Sequence, residues 1–375
     1  MDSDICRYGS DITCDIKQFT IIEDKEMRNS MAYDVIIIGG GQAGLAMGFS
    51  LKRKSIPFVI LDENEQSGMS WRNRYDSLRL FTPRSYSQLH GFHLKGDPKG
   101  FPDKNEIADY LSTFIIHNEL PIIYQQKVVK LTQNEKQQFL VITQNKTYKA
   151  KQIVIATGAF YTPFVPNIHD GTASFAIHAS KYRNPSQIPN GNVLIVGAGN
   201  TGVQIAAELS KTHQVILSQS KPMKSFPQNI AGRSLFWWLE TFRIGQAKPD
   251  SFVGKMLRKR EPLIGNDYKT VQNNAKIVGK LSEIKDGKAF FNNGISKQIQ
   301  NVIWATGYRN DYSWIQIDGI LNGHGKPLHA LGVTNVVGLY FIGLSWQSRR
   351  SSALIYGVSD DAKYIAQKIQ ELEVK

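Results

Sequence analysis

"DVIIIGGGQAGLAMG", from Asp34 to Gly48, decides how the rest of the chain is read. Val35 to Ile38 form an uninterrupted apolar run, which predicts a strand buried on both faces, as in parallel sheets. A glycine turn follows at Gly39, Gly41 and Gly44, and a helix is predicted from Gln42 and Ala43 onward. The first glycine permits a tight strand-to-helix turn, and the second lets backbone approach a pyrophosphate. The third lets the helix pack closely on the strand. The helix N-terminus then presents unpaired N–H groups and a partial positive charge to phosphates. "PFVILDE" supplies a second strand, ending in Asp62 and Glu63. A carboxylate about 20 residues beyond the turn suits ribose hydroxyls.

The same grammar returns in "NVLIVGAGNTGVQIA", Asn192 to Ala206, with Gly197, Gly199 and Gly202 in the turn and Asn200 and Thr201 opening the helix. The strand after it, "QVILSQSKP", carries no acid, and Ser218 and Lys221 stand in that region. A hydroxyl and an ammonium suit a 2′-phosphate that a carboxylate would repel, so NADPH is expected here rather than NADH.

Between Pro121 and Ala150, "KVVKL", "FLVIT" and "KTYKA" alternate in polarity and predict a small antiparallel meander. "QIVIATG" at Gln152–Gly158 and "NVIWATGY" at Asn301–Tyr308 each predict a buried strand ending in Ala-Thr-Gly. Pro163 and Pro166 mark a crossing between domains. "GLYFIGL" predicts a late strand, and "SDDAKYIAQKIQEL" a closing amphipathic helix. The expected fold class is α/β, with two Rossmann-like dinucleotide-binding domains, the second inserted into the first. The expected boundaries are an extension over 1–31, a first domain over 32–165, an insert over 166–300, and the first domain's remainder over 301–375.

Composition narrows the function. Hydrophobic content of 41% and charged content of 21% fit a globular chain with a full core. No basic head precedes an apolar leader and no run approaches a membrane span, so a cytoplasmic protein is expected. The two cysteines, Cys6 and Cys14, exclude a disulfide framework, a cysteine zinc site in the body and a Cys-x-x-Cys redox pair. No metal site is expected. The net charge of +13 is scattered except at "KMLRKR", Lys255–Arg260, so no nucleic-acid partner is expected. "SLFWWLETF", Ser234–Phe242, offers a membrane-contact alternative, with a core or pocket wall the simpler reading. A homodimer is an open expectation.

These motifs together resemble the flavin-containing monooxygenase superfamily and, within it, short bacterial oxidoreductases of the CzcO type. The resemblance runs from Tyr33 to the C-terminus. It rests on "GGGQAG", "SGMSWRNRYDSLRLFTP", "IATGAFYTPFVP", "HASKYRNP", "GAGNTG", "WATGY" and "GLYFIGLSWQSRRSSALIYGVSDDA". It implies FAD in the first unit and NADPH in the second, with Asp62 on the FAD ribose, Ser70 and Trp71 along the flavin, and Val128 near the adenine. Ala156, Thr157 and Gly158, and likewise Ala305, Thr306 and Gly307, would be backbone crossings beside the nucleotides, with Gly343 at the flavin end.

Two departures stand out. The family fingerprint Phe-x-Gly-x3-His-x3-aromatic keeps His178 and Tyr182, but Thr172 and Ser174 replace its Phe and Gly. His178 is still expected to position NADP. Phe81 stands where many relatives place a polar residue, usually Asn, near the flavin's reacting edge, and a phenyl ring cannot hydrogen-bond there. The expected activity is an FAD-dependent, NADPH-consuming monooxygenase that transfers one oxygen atom from O2 to a small nucleophilic or carbonyl substrate. The alternatives are an NADPH oxidase releasing hydrogen peroxide and a flavoprotein redox sensor acting on a membrane transport partner. Trp346, Gln347 and Arg349 are the expected substrate neighbours.

Overall fold

The apolar run at the head of the first unit forms β1, Met31–Ile38, the centre of a largely parallel sheet. The computed structural model describes residues 31–159, 162–168, 170–259 and 262–373, so the expected N-terminal extension lies outside the described residues apart from residue 31, which opens β1. β1 pairs in parallel with β2, Phe58–Leu61, and with β6, Thr147–Ile155. β3, Ile122–Ile123, extends the sheet beyond β2. β5, Phe139–Thr143, and β4, Val128–Gln133, extend it antiparallel beyond β6. The expected meander is therefore an edge of this sheet. Its third strand and the strand before the first Ala-Thr-Gly are one continuous element, β6, because no turn residue interrupts Thr147–Ile155.

The helix after the first glycine turn, α1 (Gln42–Lys52), buries Leu45, Met47 and Leu51. They share a core with α3 (Lys104–His117) and the closing helix α8 (Val358–Glu373). The short α2, Met69–Arg72, begins after Gly68, whose φ of +78° and whose Ala108 neighbour, 2.8 Å from a notional Cβ, exclude a side chain there.

The second sheet is wholly parallel. Its strands are β8 (Phe175–His178), β9 (Val193–Val196), β10 (Val215–Ser218), β11 (Lys276–Val278) and β15 (Asn301–Trp304), in the order β11-β10-β9-β15-β8. α4 (Asn200–Leu209) and α7 (Asp267–Asn274) pack on one face. An antiparallel layer of β12 (Leu281–Lys285), β13 (Lys288–Phe291) and β14 (Ser296–Gln298) covers the other. Asp286-Gly287 and Asn293-Gly294 are the hairpin signals of that layer, with Asp286, Gly287 and Gly294 at positive φ.

All strands of the second sheet lie in sequence between β7 (Thr162–Pro163) and β16 (Tyr308–Arg309), which pair antiparallel. The chain then rejoins the first sheet at β17, Leu339–Phe341, alongside β6. The boundary expected at residue 300 is too early. β15 sits between β9 and β8, so the second sheet extends through Trp304. The Ala-Thr-Gly after β15 belongs to the second sheet as its counterpart belongs to the first.

Candidate functional site

The two glycine turns fold almost identically. Gly39 and Gly197 both adopt φ +110°, and a Cβ on either would strike a carbonyl oxygen, that of Ala156 or Ala305. Those carbonyls explain the repeated Ala-Thr-Gly: each sheet passes a third strand end beneath its own turn, with Ala156 N–H donating to Ile38 and Ala305 N–H to Val196. Thr157 and Gly158 lead away from the first turn. After the second, Thr306 Oγ1 donates to Phe164 O, and Gly158 and Gly307 take φ +73° and +79°. A Cβ on Gly44 or Gly202 would overlap the carbonyl of Gly39 or Gly197, so helix and turn touch backbone to backbone. Gly41 and Gly199, the N-caps of α1 and α4, face open space, with nothing within 4 Å of a notional Cβ. Open glycine, an adjoining helix N-terminus and a tight turn are what a pyrophosphate needs, so each cradle fits a dinucleotide.

The strand ends beside the cradles differ. Gly39 N–H donates to Leu61 O at 2.8 Å and Gly197 N–H to Ser218 O at 3.0 Å, so Leu61 and Ser218 are equivalent. The counterpart of Asp62 is thus Gln219, one residue beyond the Ser218 that sequence spacing pointed to. Asp62 is buried. Its Oδ2 accepts from Gly40 N–H at 2.5 Å, and Oδ1 accepts from the backbone and side-chain amides of Asn64. Ser218 is withdrawn from any ligand, because its hydroxyl donates to Gly279 O and accepts from Leu281 N–H. Gln219 accepts from the Tyr268 hydroxyl, and Lys221 is exposed two residues further on. Glu63 is exposed at the rim of the first cradle. Partly buried Val128 begins a strand tied to Asp62 through Gln126 N–H.

A packed apolar cluster joins three parts of the chain. Phe81 and Tyr86 come from the first unit. Leu235 and Phe236 of α5 (Leu235–Thr241) and Ile264 come from the second, and Leu354 and Tyr356 from the returning segment. Phe81 stacks on Phe236 at 6.0 Å and 15°. Asn200 Oδ1 accepts from Ile264 N–H at 3.4 Å, and Gln42 Nε2 donates to Ala353 O at 3.2 Å, so the cluster is tied to both helix starts. Tyr75 donates to Gln204 of α4 and Gln204 to Arg79 O, joining the units again. Tyr356 donates to Glu240 at 2.8 Å. Burial, reinforced by Glu240, raises its pKa, so the hydroxyl stays a donor.

Arg350, in the same returning segment, has Nε and Nη1 buried with no partner among the described residues. Burying a guanidinium's donors unmatched is costly, and an arriving oxyanion, phosphate or carbonyl would relieve it. The sequence offered Arg350 only as a contact for phosphate or solvent and did not place it among the substrate neighbours. Among the described residues there is no group of three or more His, Cys, Asp or Glu able to hold a metal, and no helix long and apolar enough to cross a membrane.

The residues expected to be catalytic separate. His178 is a strut. Its Nδ1 accepts from Ser180 N–H, which leaves the proton on Nε2 to donate to Gly307 O at 3.0 Å, and its ring meets Tyr308 edge-on. Both nitrogens are spent on the connector, so His178 has no free atom for NADP or proton transfer. Gln347 is buried and brackets the loop, accepting from Leu344 N–H and donating to Leu331 O. Arg349 pairs with Asp360 in the first turn of α8 at 3.1 Å. The Gln347 amide is thus committed to the loop, and Arg349 is held through Nε by Ser348 and through Nη1 by Asp360. Trp346 is partly buried with φ +60° in the same loop. A Cβ on Gly343 would lie 2.7 Å from that of Ala43, so the last strand's exit closes on the first turn of α1 without a side chain. Trp71 packs on the first core, while Ser70 is exposed.

Two dinucleotide cradles joined through an apolar cluster fit a pyridine-nucleotide oxidoreductase class. Residues 36–238 match the pyridine nucleotide-disulphide oxidoreductase family. A CzcO-like oxidoreductase from Geobacillus kaustophilus is 46% identical over 341 residues, 90% of this chain and 98% of that relative. The chain belongs to this family of CzcO-like oxidoreductases and is an enzyme of that kind. A probable indole-3-pyruvate monooxygenase, YUCCA1 of Arabidopsis thaliana, is 26% identical over 92% of each chain. The flavin-containing monooxygenase from Stenotrophomonas maltophilia shares the fold at TM-score 0.78, with 21% identity, 91% of this chain and 99% of that one.

Proposed function

We propose that the enzyme is an FAD-dependent, NADPH-consuming monooxygenase in which an inserted NADPH domain faces the FAD domain across the aromatic cluster. The observation that carries this is the aromatic cluster itself: apolar, tied to the helix starts of both cradles, and with no charged acid–base pair among Phe81, Tyr86, Phe236, Ile264, Leu354 and Tyr356. Bound FAD would supply the redox chemistry, in which NADPH provides two electrons, one atom of O2 enters the substrate and the other leaves as water.

The protein's part is binding, orientation and exclusion of water. Asp62, accepting from Gly40, keeps a lone pair for ribose hydroxyls. Gly41 and the first turn of α1 hold the FAD pyrophosphate, and Gly199 with Asn200 and Thr201 hold that of NADPH. Uncharged Gln219 and cationic Lys221 accept the 2′-phosphate. Phe81 and Phe236 keep the reacting region dry, which slows wasteful decay. Arg350 receives an oxygen at the edge of the cluster.

Indole-3-pyruvate, for which the plant relative is named, combines an aromatic body with an anionic end. The phenyl rings of the cluster and the unpartnered Arg350 offer partners for both, so aryl keto acids and aryl thioethers are the substrates to try first. The oxidase reading retains one observation in its favour, since Phe81 puts no hydrogen-bond donor beside the reacting edge. Peroxide counted per NADPH consumed tests both. A candidate substrate should lower that ratio well below one and acquire one atom from labelled O2. A ratio that stays at one with every substrate would leave the oxidase.

A further inference from the structure

Residues 224–259 form the most unusual surface of the molecule. α6, Phe252–Lys259, carries a Phe252 that is 84% exposed and a Met256 that is 56% exposed, with Val253 exposed beside them. At about 100° per residue these three share one arc, and Lys255, Arg258 and Lys259 occupy the flanking arc. The side toward the protein is Gly254, buried because any Cβ there would overlap Lys248 O. The helix therefore rests on its glycine and turns both its apolar and its basic arcs outward. Nearby Phe242, 65% exposed, stacks on Trp238 at 5.9 Å, and Ile230 is exposed beside the indole that donates to its carbonyl.

Apolar surface of this extent in one stretch of chain has a cost in water that a partner removes. A lid role is not supported, because the apolar residues of α6 take no part in the aromatic cluster. A second copy would bring the same basic arc, on a chain of net charge +13, against itself. An anionic bilayer matches both arcs at once. Phe252, Val253 and Met256 enter the acyl boundary, while the lysines and arginine meet phosphates.

We propose that α6 and the adjoining Trp238–Phe242 edge dock this enzyme on the surface of an anionic phospholipid membrane. The docking helix follows α5 after residues 242–251, and Leu235 and Phe236 of α5 belong to the aromatic cluster. The proposal stands whichever reaction the enzyme performs.

Co-sedimentation of the FAD-loaded protein with vesicles tests it, using equal parts phosphatidylglycerol and phosphatidylcholine against phosphatidylcholine alone. The protein should pellet with the first and not the second. Phe252→Ser with Met256→Ser should weaken the apparent affinity about tenfold or more, and Lys255→Glu with Arg258→Glu and Lys259→Glu should do the same. Both variants should keep the wild-type FAD content and NADPH oxidation, because neither α6 arc touches a cradle or the cluster. Three results would overturn the proposal. One is absence of binding to the anionic vesicles at low salt. Another is undiminished binding of the Ser variant, which would leave only diffuse charge attraction. The last is a dimer in sedimentation velocity that the Ser variant dissolves without any vesicle binding, which would make a second copy the occupant.

Discussion

The two cradles superimpose in logic and part company where the turn meets the end of the neighbouring strand. In the first, Gly40 stands in the turn and Asp62 ends the neighbouring strand; in the second, Ala198 and Gln219 occupy those places. A Cβ on Gly40 would lie 2.7 Å from Asp62 Oδ2, so the inward-turned carboxylate requires glycine opposite it. Ala198 is accommodated because Gln219 reaches away to the Tyr268 hydroxyl. A carboxylate that grips both the turn and a ribose suits a dinucleotide that stays. A neutral amide beside an exposed lysine suits one that arrives with a 2′-phosphate and leaves.

The largest effects should come from the helix glycines. Gly44→Ala forces α1 off the turn, costing on the order of 3 kcal/mol, and should yield protein that purifies without flavin. Gly202→Ala carries the same clash, but flavin should remain bound while reduction by NADPH fails. Flavin absorbance of the purified variants and anaerobic reduction separate the two. Loss of flavin from both would make the cradles one cooperative unit and break the comparison.

Next in size is Gln219→Glu. A carboxylate facing a 2′-phosphate costs several kcal/mol, so the ratio of kcat/KM for NADPH over NADH should fall by roughly 100-fold, chiefly through KM for NADPH. Lys221→Ala should lower the same ratio about tenfold. An unchanged ratio in Gln219→Glu would place the phosphate elsewhere.

Gly40→Ala should weaken FAD retention, measured by dialysis against flavin-free buffer, whereas Ala198→Gly should shift thermal stability by under about 1 kcal/mol. Asp62→Ala added to Gly40→Ala should relieve the clash but not restore affinity, because the ribose partner is gone.

The smallest effect concerns the connector. Burial lowers the pKa of His178 from its ordinary 6.5, Gly307 O partly opposing the shift. The unfolded chain then binds the proton more readily, so the stability His178 contributes is present above pH 6.5 and is lost as pH falls toward its lower folded value. His178→Gln keeps a donor for Gly307, and its melting temperature should decline less steeply below pH 6.5 than that of the wild type.

Much of this was legible without coordinates. Apolar runs closed by spaced glycines can satisfy backbone and burial in few ways, so both β-α-β units, the glycine roles and the place of Asp62 followed from local sequence. The strand that opens "NVIWATGY" was equally clear as a strand, but no local feature says which sheet it joins; hydrogen bonding to β9 and β8 assigned it to the second. Ser218 was a one-residue error of register, since spacing cannot tell which strand residue faces the turn. His178, Gln347 and Arg349 were chosen for their chemistry, and the fold had already spent their polar atoms on Gly307, Leu331 and Asp360. Arg350 went unchosen beside an identical neighbour, and only packing left its donors unmatched. Local sequence determined the cradles because each is made by contiguous residues. Which side chains remained free for a ligand was decided by tertiary structure, because that depends on partners outside the local motif, 11 residues along the chain for Arg349 and 129 for His178.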